Sequence, residues 1–315
     1  MENLIYSLNA TMPVFFVMVV GYVLKHIGML NNNFIEVSNK FNFKVTLPIL
    51  LCVDIGSTNI VKNFDGKYIL FCAVVTSICF WSIWFFTRKF MKDPFMRGAF
   101  VQASFRGSAA ILGIAFIQNI YGSTGMASMM IIGAVPFYNI YSVIVLTFEG
   151  KNGIGGKSSI KHACVNIIKN PIIIGIILGM IVSLLNIHFP KMIDKTLKNF
   201  AVIASPLALV TIGAGFEGRK ALAKIKPTLV ASFIKLILQA AIFLPLAVYF
   251  GFKDQKLVAL IIMLGSPTTV SSYIMAKSMN NDGVLSSSIV VATTVLSAFT
   301  LTFWIFLLKN IGLII

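Results

Sequence analysis

The stretch IIMLGSPTTVSSYIMAKS, residues 261–278, decides the fold. It begins and ends as an apolar helix, but its centre is GSPTT at residues 265–269. Pro267 has no amide hydrogen, so the carbonyl of Met263 loses its usual helical donor, and Gly265 supplies the backbone freedom for an unwound turn. The sequence therefore predicts two half-helices separated by a short break.

The composition around this stretch is that of a membrane protein. Of the 315 residues, 57% are hydrophobic and only 11% are charged. Apolar runs of about twenty residues, each long enough to cross a bilayer, recur along the chain. Hydrocarbon allows only helical bundles or closed barrels, and these runs lack the alternation of barrel strands. We therefore predict an all-α polytopic membrane protein.

Loop signals divide the chain into ten predicted transmembrane spans. The spans are 4–27, 39–58, 68–89, 97–120, 125–148, 168–187, 196–216, 226–250, 256–279 and 284–308. After the fifth comes EGKNGIGGKSSIKH, residues 149–162, whose Gly, Lys and Ser content is typical of a flexible linker. This pattern predicts a first five-helix repeat over 1–148, a cytoplasmic linker over 149–167 and a second five-helix repeat over 168–315.

Residues with special backbone roles recur at one offset between the halves. A single ungapped shift aligns Pro13 with Pro171, Gly21 with Gly179, Pro48 with Pro206, Gly107 with Gly265, Ser108 with Ser266 and Gly125 with Gly283. This coincidence predicts a duplication. Because five spans per half is an odd number, the second half enters the membrane from the opposite side, which makes the repeat inverted.

The distribution of positive charge predicts the orientation. The net charge is +16, and fifteen Lys or Arg residues fall on one side of the predicted topology against eight on the other. The richer side is expected to be cytoplasmic, which places both termini outside and the linker inside. Anionic lipid head groups account for this charge, so nucleic-acid binding is not needed to explain it.

The interrupted spans predict the substrate site. Gly107 and Ser108 lie in span 4 within QASFRGSAAILGIAFIQN, at positions equivalent to the break in span 9. Paired interrupted helices in two inverted halves indicate a transporter site, and their exposed N–H groups and dipoles favour an anion. The predicted substrate-binding residues are Arg106, Gly107, Ser108, Gly113, Asn139, Gly265, Ser266, Pro267, Thr268, Thr269 and Ser271.

Each charged residue within a predicted span could have either a functional or a structural role. Arg106 costs about 2.5–3.5 kcal/mol near the centre of a span, so it either serves the substrate or gate, or snorkels or pairs with a carboxylate such as Asp54. Asp54 is the candidate for proton or ion coupling, unless span 2 ends early and leaves it at the outer interface. Lys44 and Lys235 are expected to snorkel. Pro48 and Pro206 are predicted to bend spans 2 and 7.

Other classes of protein fit the sequence less well. The histidines, His26, His162 and His188, lie near span ends or in loops and form no catalytic constellation, so no enzyme, cofactor or metal site is predicted. The stretch GKNGIGGKSS has the wrong glycine spacing for a phosphate-binding loop. A cation/proton antiporter needs paired buried carboxylates, where this chain has Arg106. A channel would show continuous conductance rather than saturable flux.

Three stretches of the sequence match the pattern of one known family. They are SPTTVSSYIMAKSMNNDGVLSSSIVVATTVLSAFTL at residues 266–301, FRGSAAILGIAFIQNIYG in span 4 and LPILL in span 2. On these stretches the sequence resembles the auxin efflux carrier family, which includes bacterial malate and malonate permeases. The first stretch resembles the family's ninth and tenth spans, and the second resembles its fourth-span pattern F-R-S-N followed by G-I-P. Ser108 stands where Asn is usual and Ala115 where Pro is usual, which bears on substrate and on how span 4 opens.

The resemblance implies a ten-span fold shared with bile-acid sodium symporters. Spans 1, 2, 6 and 7 would form a scaffold, and spans 3–5 and 8–10 a transport domain that moves as an elevator, with substrate where spans 4 and 9 cross.

We expect a secondary transporter of a small organic anion, with malate-like carboxylates favoured, in the plasma (bacterial inner) membrane. Alternatives are a cation/proton antiporter, a sodium-coupled symporter, or a carrier of amino acids or another small metabolite. A homodimer is a candidate assembly, and the coupling ion, proton or sodium, stays open.

Overall fold

The computed structural model describes residues 2–57, 65–109, 125–150 and 167–314, together with residues 117, 121 and 165. Side chains are described from residue 12 onward, apart from positions 125 and 128. All regular secondary structure in these residues is helical. The α-helices are α1 (Glu2–His26), α2 (Asn32–Phe41), α3 (Leu47–Gly56), α4 (Gly66–Phe90), α5 (Pro94–Phe105), α6 (Gly125–Glu149), α7 (Pro171–Leu184), α8 (Lys191–Ala214), α9 (Gly218–Ala223), α10 (Ile225–Phe233), α11 (Gln239–Tyr249), α12 (Asp254–Gly265), α13 (Ser271–Ser278) and α14 (Gly283–Asn310).

Two short π-helical segments interrupt longer helices. Asn42–Thr46 joins α2 to α3, and Ile234–Leu238 joins α10 to α11. Single π turns of this kind occur often at functional sites. The second of them carries Lys235, which lies beside the predicted substrate site.

Most predicted span ends agree with the helices to within four residues, but the starts of spans 2 and 7 differ by more. The helix of span 7 begins at Lys191 rather than residue 196. The helix of span 2 begins at Asn32 rather than residue 39, because the side chain of Asn31 accepts a hydrogen bond from the Phe34 amide and caps it. The helix of span 5 continues through Glu149, the first residue of the predicted linker. Residues 151–164 and 166 of that linker lie outside the described residues.

Five helices among the described residues are long and apolar enough to cross a membrane. They are Gly66–Phe90, Met129–Glu149, Lys191–Ala214, Ile225–Tyr249 and Gly283–Asn310. Met12–His26 and Pro171–Leu184 are apolar but shorter. Predicted spans 2 and 9 are divided by a π segment and a helix break, respectively. The described part of the chain is therefore all-helical, with five helices that are candidate membrane spans.

Two helix pairs approach each other through glycine. A Cβ on Gly213 of α8 would stand 1.8 Å from the Met18 carbonyl oxygen of α1, and one on Gly175 of α7 would stand 2.4 Å from the Pro48 carbonyl oxygen of α3. The backbones touch at these points, as small residues allow between membrane helices. Pro48 thus lies at a tight helix contact, whereas α8 continues as a helix through Pro206.

Candidate functional site at two helix breaks

Two helix breaks meet in the interior of the protein. The break predicted at residues 265–269 is present, because α12 ends at Gly265 and α13 begins at Ser271. In the other half α5 ends at Phe105, and residues 106–108 are not helical. The amide of Ser108 donates to the carbonyl of Pro267 at 2.9 Å. The backbones of the two breaks are therefore hydrogen-bonded directly to each other.

The last carbonyls of α12 are satisfied by side chains. Pro267 has no N–H for the carbonyl of Met263, and that oxygen accepts instead from the Tyr138 hydroxyl at 2.9 Å and the Lys235 ammonium at 3.0 Å. Lys235 also donates to the carbonyl of Leu264 at 3.0 Å. With an exposed fraction of 0%, Lys235 does not snorkel, so that prediction is wrong. The freed carbonyls at the C-terminus of α12 attract its charge inward.

The last carbonyls of α5 are satisfied from the second half of the chain. The Thr268 hydroxyl donates to the Ala103 carbonyl at 2.6 Å, and the side-chain amide of Gln239 donates to the Ser104 carbonyl at 2.7 Å. Gln239 lies one helical turn after Lys235. One face of the helix Ile225–Tyr249 thus supplies a donor to each break, which meets the requirement that buried backbone groups be paired.

Arg106 is held at the first break by neutral partners. Its guanidinium donates to Ser142 and Asn139 at 3.1 Å each and to Ser271 at 3.0 Å, and it contacts the sulfur of Met275 at 3.1 Å. Only 5% of Arg106 is exposed. Among the described residues its Nε has no acceptor and it forms no ion pair, so the predicted pairing with Asp54 is not observed. A buried donor without a partner costs about 1–3 kcal/mol.

A small cavity adjoins the guanidinium. Its volume is about 60 Å³, small beside the several hundred Å³ typical of drug-sized ligand sites. Seven residues singled out from the sequence line it: Asp54, Arg106, Gly107, Ser108, Asn139, Thr269 and Ser271. Apolar side chains of α3, α6, α7 and α8 complete its wall. We call this space the Arg106 cavity.

Asp54 combines features of both its predicted placements. It lies in the last turns of α3, which ends at Gly56, so it is close to the end of the helix. It nevertheless lines the Arg106 cavity and is partly buried. The cavity therefore contains one acidic and one basic side chain, with no ion pair between them.

The remaining predicted site residues do not line the Arg106 cavity or lie outside the described residues. Gly265, Ser266, Pro267 and Thr268 form or flank the break in α12–α13 but do not line the Arg106 cavity. Gly113 lies outside the described residues, as does Ala115. Sequence reasoning missed Lys235, Gln239 and Tyr138 as capping residues. The i, i+4 spacing of Lys235 and Gln239 in an apolar span was the available signal, because it places both on one helix face.

A second, larger cavity opens near the ends of α1, α8 and α13. Its volume is about 1070 Å³, and Lys25, Lys40, Lys44 and Lys277 line it together with fewer acidic side chains. Asn39 also lines it, and its buried amide group has no hydrogen-bond partner among the described residues. We call this the lysine-lined cavity. Its excess of positive charge suits an approaching anion.

Comparison with known proteins places the chain in a family. No curated protein matches it at a significant level. A family profile described as "Membrane transport protein" matches residues 6–305, which is nearly the whole chain. The match agrees with the resemblance seen in the sequence. The chain belongs to the membrane transport protein family, which includes the auxin efflux carriers.

Proposed function

We propose that this protein is a secondary transporter that moves small organic acid anions through the Arg106 cavity. The observation that carries this proposal is the buried guanidinium of Arg106, whose charge has no carboxylate partner among the described residues. A carboxylate in the cavity would neutralise that charge and accept hydrogen bonds from the guanidinium. Because the cavity is small, short carboxylates such as malate suit it best.

The arrangement of the cavity supports elevator-type alternating access. Its wall combines residues of α3, α7 and α8, from the proposed scaffold spans 2, 6 and 7, with residues of the two breaks and of α6, from the proposed transport domain. A substrate held between the two groups of helices would change sides if one group slid against the other. The proposed fold has ten spans in two inverted repeats, with the interrupted spans 4 and 9 crossing at the site.

The lysine-lined cavity supports an access route from the cytoplasm. Phe43 lines this cavity and Leu47, one helical turn later, lines the Arg106 cavity. Both side chains are nearly fully buried, at 9% and 3% exposed, and we propose that they separate the two spaces. In the proposed orientation, with both termini outside the plasma membrane, lysines would gather anions on the cytoplasmic side and Phe43 would close the route inward.

Amino acids are the second candidate class of substrate. Asp54 and Arg106 line the same cavity without pairing. A zwitterion could place its carboxylate on the guanidinium and its ammonium on the carboxylate of Asp54, whereas a dicarboxylate would gain nothing from Asp54. Neutralising Asp54 therefore weakens amino-acid binding and leaves or strengthens dicarboxylate binding.

A thermal-shift panel tests both candidates. Purified wild-type protein, Arg106→Ala and Asp54→Asn are heated with dicarboxylates, aromatic acids, bile acids and amino acids. A ligand at a hundredfold its dissociation constant stabilises the folded state by about 2.7 kcal/mol, enough to measure. We expect a carboxylate to stabilise wild type and Asp54→Asn but not Arg106→Ala. A carboxylate shift that survives in Arg106→Ala, or no shift with any acid, contradicts the proposal.

A further inference from the structure

Lys235 lies beside the last two carbonyls before Gly265 in α12, which lack backbone donors. Its side chain is fully buried, and its ammonium lies 3.0 Å from each of the carbonyl oxygens of Met263 and Leu264. The amide that would reach Met263 is missing at Pro267. The amide that would reach Leu264 belongs to Thr268 and donates to the Thr293 hydroxyl at 3.1 Å instead. Lys235 therefore donates to both carbonyls and shares the Met263 carbonyl with Tyr138.

The same group of oxygens has the chemistry of a monovalent cation site. Unwound carbonyls and the C-terminal ends of half-helices coordinate sodium in secondary transporters. Here two such carbonyls end α12, and the hydroxyl of Ser266, the next residue, is buried and has no hydrogen-bond partner among the described residues. The Lys235 ammonium and this hydroxyl lie 3.0 Å and 2.4 Å from the position that a Cβ on Gly107 would occupy. They thus approach the same point beside the first break.

We propose that the ammonium of Lys235 is a tethered cation that occupies the place of a bound metal cation at the break, so that this carrier works without sodium at that site. Unlike a bound metal cation, the Lys235 ammonium is covalently attached to the chain and does not dissociate from it. Replacing Lys235 by a small neutral residue would leave an oxygen-lined vacancy that sodium or a small amine fills. This inference goes beyond the proposed function, which leaves the coupling ion open.

The position of Lys235 also connects it to anion binding. Gly107 lines the Arg106 cavity, and a Cβ on Gly107 would stand 3.0 Å from the Lys235 ammonium. We infer that the Gly107 backbone forms part of the wall between the cavity and the ammonium. A positive charge directly behind the wall favours an anion in front of it, and water does not screen this interaction because the charge is buried. Lys235 is therefore a positioning residue whose loss raises the KM for the anion as well as disturbing the break.

The first part of the test measures cation binding without any substrate. Wild type, Lys235→Ser and Lys235→Met are purified, and their melting temperatures are compared in sodium, potassium, methylammonium and N-methylglucamine chloride at equal ionic strength. We expect no difference among the salts for wild type. Lys235→Ser is expected to melt lower and to recover with sodium or methylammonium in a saturable manner. Lys235→Met fills the space with an apolar side chain and is the matched control, so no salt should rescue it.

The second part measures flux in proteoliposomes, and it alone rests on the proposed function. Wild-type uptake of the carboxylate found in the panel is expected to be equal in sodium and N-methylglucamine. Lys235→Ser should lose about tenfold or more of kcat/KM, mainly through KM, and regain part of it with sodium or methylammonium. If no carboxylate is transported, the proposed function fails and the melting data still decide the role of Lys235.

Three results would overturn the tethered-cation proposal. One is a sodium-specific shift in the melting temperature or the uptake of wild type. Another is a Lys235→Ser variant as stable and active in N-methylglucamine as wild type. The third is equal rescue of Lys235→Ser and Lys235→Met, or rescue of neither. If both variants fail to fold, the wild-type comparison of the salts remains the deciding measurement.

Discussion

Gly107 packs against Ser266 so closely that an added Cβ would stand 2.4 Å from the Ser266 hydroxyl oxygen. A methyl group at residue 107 would therefore displace the Ser266 hydroxyl and press on the end of the Lys235 side chain, which lies 3.0 Å from the same Cβ position. Gly265, at the equivalent place in the second half, is different: the nearest atoms to its Cβ would be 3.6 Å away, an ordinary contact. The two equivalent glycines therefore have unequal roles, which gives a matched pair of substitutions.

We expect Gly107→Ala to destabilise the protein by about 1–3 kcal/mol, as overpacking of a close-packed interior does. Transport should fall with it, because the Ser108–Pro267 hydrogen bond and the Lys235 ammonium both adjoin the added methyl group. Gly265→Ala should behave like wild type in melting temperature and uptake. Equal effects of the two substitutions would show that the contact with Ser266 does not restrict the site.

Arg106→Lys tests whether the shape of the guanidinium matters beyond its charge. Lysine keeps the charge but cannot hold Asn139, Ser142 and Ser271 together while also facing a carboxylate, because it lacks the planar fork. We expect the KM for the anion to rise by about tenfold or more while the protein stays folded. Arg219→Ala, an exposed arginine in α9, is the control and should leave uptake unchanged. Uptake by Arg106→Lys equal to wild type would mean that charge alone is recognised.

Pro267→Ala restores an amide to the second break. The new N–H can compete with Tyr138 and Lys235 for the carbonyl of Met263, which favours a straighter helix. We expect a lower maximal rate with a nearly unchanged KM, measured as uptake over a range of substrate concentrations. Pro245→Ala, at an exposed position inside α11, is the control. An unchanged maximal rate would remove the break from the transport cycle.

Asp54→Asn tests for proton coupling at the Arg106 cavity. Among the described residues, Asp54 is the one acidic side chain in the wall of that cavity, so removing its titration should change how uptake varies with pH. Uptake driven by a fixed substrate gradient is measured across pH for both proteins. A profile identical to that of wild type would exclude Asp54 from coupling and leave it a role in substrate selection.

The ionisation of Asp65 should make the free energy of unfolding depend on pH. Asp65 precedes α4, accepts from the Tyr68 amide at 3.0 Å and pairs with Lys256 at 2.6 Å. The hydrogen bond from Lys256, followed by that from Tyr68, lowers the pKa of the Asp65 carboxyl below its usual value. The stabilisation is therefore present above the pKa of the unfolded chain and is lost as pH falls through the lower folded value.

Asp65→Asn should accordingly lower the melting temperature at neutral pH, and the difference from wild type should shrink as the solution becomes acidic. Asp194→Asn is the control, because Asp194 pairs with Lys198 at an exposed i, i+4 position, where salt bridges contribute little. A difference between Asp65→Asn and wild type that stays constant into the acid range would contradict the assignment.

Local chemistry made the helix break and the buried arginine predictable. Pro206 and Pro245 lie inside continuous helices, but Pro267 follows Gly265 and Ser266, and this combination favours a break. An arginine near the centre of a span is costly unless it faces the interior, so Pro267 and Arg106 could be identified from the sequence alone. The burial of the Lys235 side chain could not be predicted in this way. Snorkelling is the common outcome for a lysine in a span, and only the proximity of its helix to two unpaired carbonyls makes burial favourable. The early start of α2 depended on the cap at Asn31, which the apolar pattern does not reveal.

The caps on α5 have a consequence for biogenesis. The carbonyl of Ser104 receives its donor from a residue 135 positions later, and that of Ala103 from one 165 positions later. When only the first half has been inserted into the bilayer, these two carbonyl oxygens still lack the donors that they have in the folded protein. The nascent first half therefore reaches its finished state only after Thr268 has emerged, and separately expressed halves should be stable in cells only when both are made together.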